Sequence, residues 1–106
     1  MNSWRLQEQT LDTTQKTKYT VAILPVGSTE AHGPHVPYGS DTFHSTAIAD
    51  RVCSVAWEGG ARVLLLPTIP YGVQGNTMGF PCTINVQQSV LDSVVTDILH
   101  SLEHHV

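Results

Sequence analysis

Two apolar runs, Tyr19-Thr-Val-Ala-Ile-Leu24 and Val63-Leu-Leu-Leu66, stand out from a chain of otherwise mixed polarity, and each is closed by a proline, Pro25 and Pro67. Consecutive aliphatic and β-branched residues without polar alternation suit strands covered on both faces, as in a parallel sheet. Between the runs Ile48, Val52, Val55 and Ala56 recur at i, i+4, i+7 and i+8. This spacing predicts a helix whose stripe faces the sheet, with Asp50, Arg51 and Glu58 turned away and Gly59-Gly60 as its stop. Strand, helix and strand joined by a right-handed crossover give a parallel pair whose two Pro-ended loops meet at one edge of the sheet. A second helix is predicted to open at Asn85, as cap of a capping box with Gln88, and to run to about Glu103. Leu91, Val94, Val95, Ile98 and Leu102 form its apolar stripe.

The remaining segments are connectors. Residues 1–18 are polar apart from Trp4, Leu6 and Leu11 and read as an N-terminal arm with one short helical turn, packing on a neighbouring subunit; residues 19–106 read as part of a single α/β domain. Between Tyr71 and Phe80 the Gly-rich polar stretch suits a pocket rim, with Tyr71, Gln74 and Asn76 as the side chains able to meet a polar substrate. Phe80 to Val86 suits a short edge strand or hairpin arm.

At 106 residues the chain is at most one domain. A net charge of -4 with five Lys plus Arg supplies no basic field, which argues against a nucleic-acid partner. No apolar run approaches the roughly 18 residues that span a bilayer, and the start Met1-Asn-Ser-Trp-Arg5 has no signal core, so no membrane partner and a cytoplasmic location are expected. Cys53, in the predicted helix, and Cys82, in a turn, lack paired spacing and read as structural thiols in a reducing compartment.

Candidate chemistry is concentrated between Leu24 and Asp41. Glu30-Ala-His32 places a carboxylate and an imidazole two residues apart, and in an extended backbone such side chains project to the same side. Asp41 reaches the same spot through a turn. Carboxylate oxygens with one imidazole and no thiolate suit Zn, Mn or Fe rather than a structural cysteine site. From the residues alone, an exposed turn or hydrogen-bonded pair at Glu30 to His32 and a helix-capping role for Asp41 are the commoner readings. A nucleotide-binding flavodoxin-like reading lacks a glycine-rich phosphate loop between strand and helix.

The stretch Leu24-Pro-Val-Gly-Ser-Thr-Glu-Ala-His-Gly-Pro-His-Val-Pro-Tyr-Gly-Ser-Asp-Thr42 resembles the opening signature of the creatininase family. Leu66-Pro-Thr-Ile-Pro-Tyr-Gly72 and Gly79-Phe-Pro-Cys-Thr-Ile84 resemble its next segment in order and spacing, so the likeness runs from about Ala22 to the end of the chain. The resemblance implies a parallel-sheet α/β/α sandwich, here incomplete at the C-terminus. It implies a metal-dependent amidohydrolase with two divalent ions (Zn, Mn or Fe) per complete site, in which a metal-bound hydroxide attacks the carbonyl carbon of a small cyclic amide or formamide-type substrate and its C–N bond is hydrolysed. Glu30, His32 and Asp41 match the first three metal ligands; His35 is expected outside the ligand set, orienting a ligand or the loop, and His44 near the entrance. The remaining ligand motif and the proton-transfer groups of the family are expected in the C-terminal half, which these residues do not include. A homo-oligomer, often a hexamer, is also implied. Departures from the pattern are the Val-Gln-Gly-Asn-Thr-Met loop after Gly72, where many relatives carry His or Glu, and Cys82, where glycine is usual. A non-catalytic relative serving as an assembly or scaffold subunit is the alternative.

Overall fold

A computed structural model describes residues 3–106. In chain order the elements are α1 (Leu11–Gln15), β1 (Val21–Ile23), α2 (Ser40–Glu58), β2 (Val63–Leu65) and α3 (Gln88–Glu103), with single 3-10 turns at Leu6–Glu8 and Gly75–Thr77. β1 and β2 pair in parallel, Val21 opposite Val63 and Ile23 opposite Leu65. Both strands are shorter than their apolar runs, but pairing resumes beyond the prolines. Gly27 N–H donates to Ile69 O over 2.7 Å and Ile69 N–H to Pro25 O over 3.0 Å. Proline lacks only the donor; its carbonyl still serves the ladder. The two loops therefore leave the sheet side by side.

Alternation along β2 builds two cores. Val63 and Leu65 pack with Ala49 and Cys53 of α2, joined by Trp4, Ile23, Ala56 and Trp57. On the opposite face Leu64 and Leu66 pack with Tyr19, joined by Leu6, Ala22, Leu24 and, from α3, Ile98 and Leu102. The sheet lies between α2 and α3, the α/β/α layering expected. Cys53 is completely buried, and burial pushes its thiol pKa up.

Several expectations need correction. The stripe of α2 that meets the sheet is Ala49, Cys53 and Ala56: Ala56 belongs to the predicted stripe, but Ala49 and Cys53 lie one residue along from Ile48 and Val52, which with Val55 are about half exposed. One residue is about 100° around a helix; the small side chains let the helix approach the strands, and the bulkier β-branched ones flank the contact. α3 begins at Gln88 with Gln87 as an N-cap that makes no side-chain bond. Asn85 Oδ1 instead accepts Gln74 N–H over 2.7 Å, and Gln88 Nε2 donates to Asp92 Oδ1. Leu91, Val95, Ile98 and Leu102 are half-buried as the period predicts, but Val94 is exposed. Finally, Phe80 to Val86 forms no strand: residues 80–82 turn, and only Asn85 bridges Gly72.

The N-terminal segment lies on its own chain. Leu65 N–H donates to Trp4 O over 2.7 Å, so residues 4 and 5 extend the sheet beside β2. Asp50, predicted to face solvent, receives Arg5 Nε at 2.7 Å, Arg5 Nη2 at 2.6 Å and Trp4 Nε1 at 2.8 Å. These bonds hold its carboxyl below the usual carboxylate range. Of the predicted arm, Met1 and Asn2 lie outside the described residues.

Candidate metal centre

The loop after β1 is fastened on three sides before any ligand appears. Gly27 lies against the first turn of α2, where a Cβ would fall 2.6 Å from Thr42 Cα. Thr42 Oγ1 donates to Ser28 O over 3.1 Å, and Ser45 Oγ to Val26 O over 3.1 Å. On the other side Thr29 Oγ1 donates to Pro70 O over 2.7 Å, and Ile84 N–H to Thr29 O over 3.0 Å. The chain then folds back through a turn at residues 33–35, bridging His32 to Val36, with Gly33 at a φ of 71° that an L side chain rarely adopts. Tyr38 anchors the returning arm, its hydroxyl donating to Pro81 O over 2.5 Å.

This frame brings Glu30, His32 and Asp41 together. One ligand atom from each lies within 4.8 Å of the others, the sole such group among the described residues. Asp41 is the second residue of α2, whose N-cap is Gly39. Its carboxylate does not cap the helix from Ncap; Oδ2 accepts Ser28 Oγ over 2.5 Å and lies 3.2 Å from His32 Nε2. That His32 nitrogen is buried, and its contact with Asp41 is too poorly aligned to be a hydrogen bond. A buried nitrogen without a partner is costly in a folded protein. Ligands about 2.1 Å from a tetrahedral cation are roughly 3.4 Å apart, close to the His32–Asp41 separation. Two hard oxygens and one imidazole thus fit a divalent ion.

Thr77, missed in the sequence, stands 3.2 Å from Glu30 Oε1 and 3.2 Å from Gln74 O, sharing one hydroxyl hydrogen between them. It ties the loop of Tyr71, Gln74 and Asn76 to Glu30. No local spacing signals a partner 47 residues away. Ser28 did carry a signal, since Ser28, Glu30 and His32 alternate at i, i+2 and i+4. His35 and His44 are exposed, and neither joins the converging group. Cys82, in the turn after Pro81, has a φ of 62°, the one positive value at a non-glycine position among the described residues. The backbone at this position thus has the geometry that favours glycine. An apolar concavity of about 550 Å³ lies elsewhere, between Leu6, Leu11, Tyr19, Leu66, Ile98 and Leu102. It holds no cluster of ligands.

A family profile described as creatinine amidohydrolase matches residues 5–106. The chain is 33% identical over 78 residues to the mycofactocin precursor peptide peptidase of Mycolicibacterium smegmatis, covering 73% of this chain and 32% of that protein. It is 34% identical over 90 residues to creatinine amidohydrolase of Pseudomonas putida, covering 80% and 33%. A Bacteroides fragilis protein solved as a candidate creatinine amidohydrolase superposes with a TM-score of 0.88 at 28% identity, over 97% of this chain and 42% of the other. The 106 residues span about a third of the curated relatives they match.

Proposed function

Because the chain belongs to the creatininase family, whose solved members include manganese and zinc forms and a complex with creatine, we propose that Glu30, His32 and Asp41 are metal ligands of a hydrolytic centre. The supporting observation is their convergence within 4.8 Å around a buried His32 nitrogen that has no hydrogen-bond partner. The reaction is hydrolysis of a C–N bond in a small cyclic amide or formamide-type substrate. The mycobacterial relatives are peptidases and the Pseudomonas relative acts on creatinine, so an amide-type bond is common to both.

Divalent ions held there supply the Lewis acidity that lowers the pKa of water and polarises a carbonyl. This chain's residues do the holding. Glu30 and Asp41 balance the positive charge, and His32 adds a neutral nitrogen. Thr77 restrains Glu30, and the same loop carries Gln74 and Asn76 to the rim, where they hydrogen-bond the substrate beside Tyr71. A complete centre would hold two ions, with Glu30, His32 and Asp41 as part of its ligand set.

The exposed stripe Ile48, Val52 and Val55 supports a second reading, in which the chain works as an assembly subunit, and equally supports a homo-oligomeric enzyme. No helix of the described residues is long and apolar enough to cross a membrane. Dialysis against Zn or Mn followed by elemental analysis separates the readings. Bound metal that disappears in Glu30→Ala and Asp41→Ala supports the hydrolytic centre. A folded wild-type chain that retains none supports the assembly role.

A further inference from the structure

We infer that Ser28 is the positioning residue of this centre, its hydroxyl fixing the orientation of the Asp41 carboxylate toward the cation. The inference rests on the metal-site reading above. Ser28 is 3% exposed, and its Oγ donates to Asp41 Oδ2 over 2.5 Å. The same oxygen faces His32 Nε2 at 3.2 Å, so the bond acts on the side of the carboxylate that meets the other ligands. The terminal torsion of an aspartate is soft, and a carboxylate about half exposed at the start of a helix would otherwise rotate.

Ser28 is itself immobilised. Its carbonyl accepts Thr42 Oγ1, and its neighbours Gly27 and Thr29 are bonded to Ile69 and Pro70. A hydroxyl held by this frame, with its single hydrogen committed to Asp41, serves as an outer partner that aims a ligand. Together with the bonds from Thr42 Oγ1 to Ser28 O and from Ser45 Oγ to Val26 O, it also fastens the loop after β1 to α2. A role limited to fastening loop to helix would be shared with Thr42.

The test is titration of the 106-residue chain with Co(II), read by its visible absorption bands and accompanied by urea unfolding. Ser28→Ala should weaken Co(II) binding about 10- to 100-fold and change the band shape, as outer-partner losses do. Ser28→Thr, which keeps the hydroxyl, should restore affinity and spectrum. Thr42→Val should lower stability while leaving both close to wild type. Wild-type affinity and spectrum in Ser28→Ala, no recovery in Ser28→Thr, or an equal loss in Thr42→Val would overturn the positioning role and leave the metal site standing. A wild-type chain with no saturable Co(II) binding, or binding unaffected by Asp41→Ala, would overturn the metal site and this inference with it.

Discussion

Substituting Gly27 by alanine tests whether the approach of α2 to the loop after β1 shapes the centre. The new Cβ would fall 2.6 Å from Thr42 Cα and 2.9 Å from Thr42 Cβ. Rotating the Thr42 side chain relieves neither contact, because neither atom moves with χ1. Carbon atoms rest at about 3.5 Å, so loop and helix must part by nearly 1 Å, against the Gly27–Ile69, Thr42–Ser28 and Ser28–Asp41 bonds. Overpacking of this kind costs about 1–3 kcal/mol. The stiffer unfolded chain returns about 0.4–1 kcal/mol, which leaves a net loss of about 1–2 kcal/mol. With a urea slope of about 1–2 kcal/mol per molar for a chain of this size, the midpoint should fall by about 1 M. Metal affinity should fall as well, since ligand distances tolerate only about 0.2 Å. Gly75→Ala is the control, because a Cβ there meets nothing within 4 Å. A Gly27→Ala protein with the wild-type midpoint would refute the close contact and the reasoning built on it.

Two further substitutions test the surroundings. The Asp50 carboxyl is held below its ordinary pKa by Arg5 and then Trp4, so its bonds stabilise the fold fully above about pH 4 and are lost as pH falls through the lowered value. Urea unfolding should therefore show wild type more stable than Asp50→Asn by a constant margin from pH 7 to 5, closing below pH 4; a margin unchanged at pH 2.5 would contradict this. Cys82→Gly should stabilise by about 0.5–1 kcal/mol, because a side chain at positive φ costs about 1–2 kcal/mol and glycine gives back part of this as entropy. A raised melting temperature checks it, and a lowered one would show that the Cys82 side chain contributes contacts that outweigh its strain.

The convergence of Glu30, His32 and Asp41 was legible in the sequence because it is local: the three fall within twelve positions, and glycine and proline leave the backbone between them few options. The parallel strands were legible too, since unbroken apolar runs ended by Pro25 and Pro67 have few other uses. Hydrophobicity misled at α2. The eye follows Ile48, Val52 and Val55, whereas the sheet selects the small residues Ala49, Cys53 and Ala56 that allow close approach. Asn85 carries a capping signature but is claimed by Gln74, a tertiary partner that pattern alone does not reveal. Thr77 and the Trp4–Arg5–Asp50 cluster were hidden for the same reason, being contacts across 45 or more residues.

Crystals soaked in zinc and measured at the zinc absorption edge put the central claim to its most direct test. An anomalous peak within about 2.0–2.2 Å of one Glu30 oxygen, one Asp41 oxygen and a His32 nitrogen is the expected result. A map with no peak there, or with zinc only at His100 of α3 and at His104 and His105 just past its end, would contradict it.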